Sequence, residues 1–146
     1  MSLCSGLTPY GLVQDRGQGN QLSPVVLRSE GPILIATLND PDRANPLSSA
    51  MVNGLAEVLE RAASDKTVRA VVIAGAGRHF SAGADLEALE RIASAGDETQ
   101  NEIDAEGLRH LFEVLLGCPK LTVAAVQGAA VAVGCGLATG CDFVVA

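Results

Sequence analysis

The segment QGAAVAVGCGLATGCDF, residues 127–143, most limits what this chain can fold into. It holds no charge before Asp142 and no aromatic ring before Phe143. Backbone this bare has three uses: crossing a membrane, packing closely against other backbone, or offering peptide groups to a ligand. Leu121 to Gly140 is an uncharged run of 20 residues, the length a bilayer needs. It is nevertheless built mainly of Ala, Gly, Val and Thr, contains Gln127, and lacks a flanking Lys/Arg pattern. A buried strand, turn and helix fits the run better than a membrane span.

The neighbouring segments support that reading. VVLRSEGPILIATL (residues 25–38) is two β-branched runs, Val25 to Ser29 and Ile33 to Leu38, split by Glu30-Gly31-Pro32, which predicts a hairpin. The turn cluster NDPDRANP leads into a stretch where Leu47, Met51, Leu55, Val58, Leu59 and Ala62 recur at helical spacing, with Ser48 or Ser49 as N-cap. VRAVVIAG reads as an apolar strand buried on both faces. A short helix is expected from Asp85, then a mobile loop over SAGDETQNE. An amphipathic helix is expected over residues 102–116, with Ile103, Leu108, Leu111, Phe112 and Leu115 on its apolar side and Pro119 beyond its end. LTVAAV and DFVVA are further strands. Strands alternating with helices predict an α/β fold.

With 146 residues the chain is one domain's worth, and 48% hydrophobic against 18% charged residues is the balance of a globular protein. A formal charge of −7 argues against nucleic acid or an anionic membrane as partner, since phosphate attraction needs a basic face. Cys4, Cys118, Cys135 and Cys141 form no C-x-x-C pair and sit among apolar neighbours, so they read as buried free thiols in a reducing cytoplasm. His79 and His110 stand apart from them, so no zinc pattern or other metal site is expected. The start of the chain lacks a basic stretch followed by an apolar one, so a cytoplasmic location is expected. Residues 1–22 are Gly- and Gln-rich without periodicity and are expected to form a loose extension ahead of a domain over 23–146.

Three motifs compete for the chemistry. IAGAGRHF resembles a dinucleotide-binding turn, but Phe80 stands where the third glycine of that fingerprint belongs. His79, Ser81 and Asp85 suggest a hydrolytic triad. They crowd into one loop, however, and the chain has no G-x-S-x-G elbow. Asp85 reads more simply as the cap of the helix it starts. The third possibility is a pair of Gly/Ala turns, SAGADL (81–86) and AAVAVGCG (129–136), each following a strand and opening a helix. Unpaired N–H groups at such turns carry partial positive charge, and two of them aimed at one oxygen would form an oxyanion hole. The same glycines would equally permit close packing alone. On the residues by themselves both readings stay open.

The succession PDRANPLSSAM, VRAVVIAGAGRHFSAGADL and CPKLTVAAVQGAAVAVGCGLATGCDFVVA resembles the enoyl-CoA hydratase/isomerase (crotonase) family over residues 25–146. The resemblance implies a spiral of β-β-α units, followed in the family by C-terminal helices that build trimers or hexamers. It implies an acyl-CoA thioester as partner, with coenzyme A belonging to the substrate and no further cofactor. The family's two thioester-polarising amides fall on Ala84 and Val133, where most members carry glycine at the second position. A valine still supplies the amide, and its side chain should narrow the acyl pocket. Arg43, Ala44, Ala82, Asp85 and Leu86 fall on positions lining the CoA and its pantetheine arm, Arg43 being the local cation for the phosphates.

Two departures from the family pattern bear on the reaction. The first hydratase glutamate would follow Cys135, where this chain has Gly136, and the second would lie beyond Ala146. The chain is therefore expected to be the N-terminal part of such a domain, stopping before the second carboxylate and the helical segment. Gly136 favours isomerisation or another enolate reaction over two-carboxylate hydration. A member that binds acyl-CoA without turning it over is the alternative.

Overall fold

A computed structural model of the protein describes residues 24–146. The expected extension over 1–22 and Cys4 lie outside the described residues. Strands β1 (Val25–Glu30) and β2 (Ile33–Leu38) form the expected hairpin, in register from Val25 opposite Leu38 to Glu30 opposite Ile33. A 3₁₀ turn over Pro41–Arg43 follows, then the two-residue strand β3 (Pro46–Leu47) and helix α1 (Ser49–Ser64). Strand β4 (Ala70–Gly75) leads to a second two-residue strand, β5 (Gly83–Ala84). Helices α2 (Leu86–Ala95) and α3 (Glu98–Leu116), strand β6 (Leu121–Ala125), helix α4 (Val133–Thr139) and strand β7 (Phe143–Val145) complete the order.

The main sheet runs β1-β2-β4-β6-β7, antiparallel in the hairpin and parallel thereafter, while β3 and β5 make a separate parallel pair. Each parallel crossover carries helix, as parallel strands require. The core sits between the sheet and α1. Leu34, Ala36, Leu38, Val71, Ile73 and Ala124 of the sheet are buried with Met51, Leu55, Leu59 and Ala62 of α1. Every apolar residue expected on the inner side of α1 is buried. Ser48 is its cap, its hydroxyl accepting from Met51 N–H, a contact worth about 1 kcal/mol.

Four expectations need correction. β4 is not buried on both faces: Val71 and Ile73 are fully enclosed, but Val72 on the opposite face is only partly covered. No long loop separates the two middle helices. Gly96, at φ 63°, ends α2, and Asp97 caps α3 by accepting from Gln100 N–H, so α3 starts at Glu98 rather than near residue 102. Ile103 lies outside the apolar face of α3, 57% exposed, while Leu111 and Leu115 are buried. Finally, only Cys141 of the described thiols is buried, with its pKa pushed up to about 11 chiefly by that burial; Cys118 is half-buried and Cys135 exposed. The uncharged run from Leu121 to Gly140 resolves into β6, a turn and α4. No described helix is long and apolar enough to cross a membrane.

Candidate active site

The two Gly/Ala turns meet. Ser81 and Ala130 form a parallel bridge in which Ala129 C=O accepts from Phe80 and Ser81 N–H and Ser81 C=O accepts from Val131 N–H. The contact is too close for side chains. A Cβ on Gly83, which lies at φ +87°, would stand 2.6 Å from Val131 C=O, and one on Gly134 would stand 2.8 Å from the Ser81 side chain. At these two glycines the packing reading holds. Ala84 and Val133, one residue away from each, face a different environment.

Behind the turns lies a buried polar scaffold. Asn45 is fully buried at φ 55°. Its Nδ2 donates to the carbonyls of Ala76 (2.9 Å), His79 (2.9 Å) and Phe80 (3.2 Å), while its Oδ1 accepts from Asp40 N–H at 2.9 Å. Ser81, also fully buried, donates to Asn45 C=O at 2.8 Å and accepts from Gly83 N–H at 3.1 Å. Gln127 donates to Gly75 C=O, and Ala129 N–H donates to His79 Nδ1 at 3.1 Å. His79 and Ser81 are thus both engaged with backbone, and Asp85 caps α2 by accepting from Ala88 N–H. No triad is assembled. The sequence reading passed over Asn45; the signal was a turn-forming Asn ahead of a proline, in a residue type that, after glycine, best tolerates φ > 0.

Ala84 and Val133 line one cavity of about 270 Å³, walled on its other sides by Leu47, Val52, Ala88, Leu89, Ala105 and Leu108, with Ser48, Ser49, Asp85, Asn101 and Asp104 as its polar residues. Val133 is the first residue of α4, and its N–H has no hydrogen-bond partner among the described residues. Ala84 pairs with Leu47 across the small sheet and also borders a shallower groove of about 360 Å³. That groove is lined by Arg43, Ala82, Asp85 and Leu86 together with Asp42 and Glu87. Four of the five residues expected along a CoA arm therefore share it. Ala44 does not; it lies beneath, its carbonyl accepting from Ala82 N–H at 2.7 Å.

Arg43 does not face the groove as an unshared cation. Its guanidinium donates to Asp85 (2.7 Å), Glu87 (3.0 Å) and Asp40 (3.4 Å), chiefly Asp85, whose hydrogen bond holds the arginine's pKa above its ordinary value. Burial acts to raise the Asp85 pKa, but the bonds from Arg43 and Ala88 N–H, with the charges of Arg43 and Arg91, outweigh it and keep it below the carboxylate norm. Gly136 lies on α4, outside both cavities. A Cβ there would meet the Phe112 ring at 3.4 Å, an ordinary contact distance. No group of His, Cys, Asp and Glu suited to a metal occurs among the described residues.

The enoyl-CoA hydratase/isomerase family model matches residues 28–146. A provisionally named enoyl-CoA hydratase of Thermus thermophilus is 48% identical over 116 residues, which is 80% of this chain and 46% of that protein. The 2,3-dehydroadipyl-CoA hydratase of Escherichia coli is 35% identical over 127 residues, covering 86% of this chain and 47% of its own length. Among solved structures, an enoyl-CoA hydratase/isomerase from Mycobacterium paratuberculosis superimposes with a TM-score of 0.78 at 35% identity, over 86% of this chain and 50% of that one. The chain spans about half the length of the relatives it matches. The alternating β and α order, the paired turns and these matches lead to one conclusion: the chain belongs to the enoyl-CoA hydratase/isomerase family and carries part of its crotonase fold.

Proposed function

We propose that the cavity bordered by Ala84 and Val133 holds the thioester end of an acyl-CoA, and that their backbone amides stabilise the enolate oxygen formed when an α-proton leaves. The observation carrying this reading is that Ala84 and Val133, drawn from two separate loops, line the same cavity, with Val133 N–H unpaired beside it. Two fixed donors at one oxygen are strongest in a site that excludes water, and losing one costs about 3 kcal/mol in activation free energy. The apolar wall of Leu47, Val52, Leu89 and Leu108 suits an acyl chain. The groove beyond Ala84 suits the pantetheine arm. Because Arg43 is already shared among three carboxylates, it acts there as a brace between the 3₁₀ turn and α2 more than as a phosphate anchor. Coenzyme A comes as part of the substrate, and the chemistry calls on no other group. The full-length protein would assemble as the trimers or hexamers of its family.

Named relatives are hydratases, yet Gly136 offers no carboxylate where the family resemblance puts one. That favours chemistry needing a single proton-transfer group, such as moving a double bond from the 3- to the 2-position, over the two-carboxylate addition of water. The same glycine supports a second reading, an acyl-CoA binder without turnover. The full-length protein, offered crotonyl-CoA and a 3-enoyl-CoA with thioester absorbance followed, separates them: turnover of the 3-enoyl-CoA is expected, and binding of both without turnover of either would establish the binder. Val133→Pro removes the amide at a first helical position that proline favours. Turnover should fall at least 100-fold in protein that still unfolds cooperatively; unchanged turnover would show the donor to be misassigned.

A further inference from the structure

Two carboxylates line the cavity: Asp85, which caps α2 and is paired with Arg43, and Asp104, which no cation neutralises among the described residues. Asp104, on the second turn of α3, lines the same cavity as Ala84 and Val133. Its Oδ1 accepts from the Ser49 hydroxyl at 2.7 Å and from Gln100 Nε2 at 2.9 Å; its Oδ2 takes no hydrogen bond among the described residues. A carboxylate with one oxygen fixed by two donors and the other unengaged is oriented without being neutralised, and among the described residues it has no cationic partner. Leu108, one turn further along the same face, lines the cavity as well, and Phe112, a turn beyond that, meets Gly136. Asp104 thus stands on the acyl-chain wall, about 12 Å along α3 from the level of Gly136.

We infer that Asp104 is the proton-transferring group of this site, in place of a carboxylate on α4. The inference rests on the enolate reading above. In the step, Asp104 Oδ2 takes an α-proton: the α-C–H bond breaks, an O–H bond forms, and the electron pair passes into the C=C bond as the thioester oxygen gains charge beside Ala84 and Val133. With a 3-enoyl chain the pair extends to a dienolate. The carboxylic acid then returns its proton to the γ-carbon, leaving the 2-enoyl thioester and the carboxylate restored. No oxidant, reductant or water is consumed.

The test uses the full-length protein with butyryl-CoA in D₂O, reading α-deuteration by NMR, and a 3-enoyl-CoA for isomerisation. Asp104→Asn keeps an oxygen acceptor for Ser49 and Gln100, so the tie between α1 and α3 survives, and thermal unfolding and thioester binding should be unaltered. Both rates should drop about 100-fold or more. Asp104→Glu should recover part of the rate. Exchange within threefold of the parent in Asp104→Asn would overturn the role of Asp104. Absence of exchange in the parent chain would instead overturn the enolate reading, and with it this inference.

Discussion

The two walls of the cavity are built on opposite principles. One is backbone: the turns around Ser81 and Gly134 lie against each other with no room for a Cβ, over the buried Asn45 and Ser81 side chains, every polar atom of which finds a partner. The other joins the buried Leu47 and Val52 of β3 and α1 to a pair of surface helices. α2 buries no residue at all, and α3 encloses only Leu111 and Leu115 near its far end. Oxyanion donors need fixed positions before the charge appears, because their effect comes from dipoles that do not have to reorganise. An acyl chain needs only apolar area, which a loosely held helix supplies. The difference teaches that this chain spends its buried hydrogen bonds on the wall where the reacting oxygen would sit.

The sharpest way to break that contrast is Asn45→Ala. It strips one donor group from three carbonyls, that of Phe80 buried and those of Ala76 and His79 partly so, and leaves Asp40 N–H without its acceptor, and alanine tolerates φ 55° less well than asparagine. A loss of about 3 kcal/mol or more in denaturant unfolding is expected. A loss below about 1 kcal/mol would mean the backbone wall holds itself. Asp85, where the two walls join, comes next. Its folded pKa is depressed, so its contribution to stability is complete above the ordinary value of 3.8 and is lost as pH falls through the lower folded value. Asp85→Asn should therefore cost about 1 kcal/mol at neutral pH, where Arg43 is partly solvated, and make unfolding less sensitive to acid below pH 4. Equal acid sensitivity of variant and parent would remove Asp85 from the linkage. The smallest effect should come at Gly136, on the face of α4 turned to Phe112 of the helix wall. Gly136→Ala puts a methyl at 3.4 Å from that ring and should stabilise by about 0.5 kcal/mol through helix propensity. Destabilisation there would show that the helix wall is as tightly fitted as the backbone wall.

The parts of the fold legible in the sequence were those with a repeating pattern. The hairpin, the inner face of α1 and strands β6 and β7 follow from β-branched runs and helical spacing, and the Asp85 cap follows from its place before Leu86. The parts that escaped have no period. β3 and β5 are two residues each, too short to signal themselves, and they exist because Pro46 and Gly83 are brought together from distant stretches. The start of α3 was missed because its first turn, ETQN, is wholly polar and only the Gly96–Asp97 stop-and-start marks it. Asp104 was invisible as a cavity residue, since its tie to Ser49 spans 55 positions and no local pattern records it. Ala84 and Val133 entered through family resemblance; spacing alone left their turns ambiguous between packing and binding.

The close approach at Gly83 and Gly134 also shapes how such a protein can change over generations. Neither position has room for a single added carbon, and the Asn45 and Ser81 side chains both hold the first turn in place. Drift is therefore channelled to Leu89, Ala105 and Leu108, where a methyl gained or lost reshapes the cavity and leaves the paired turns alone. A scaffold divided in this way can remodel its cavity by small steps while the paired turns are inherited unaltered.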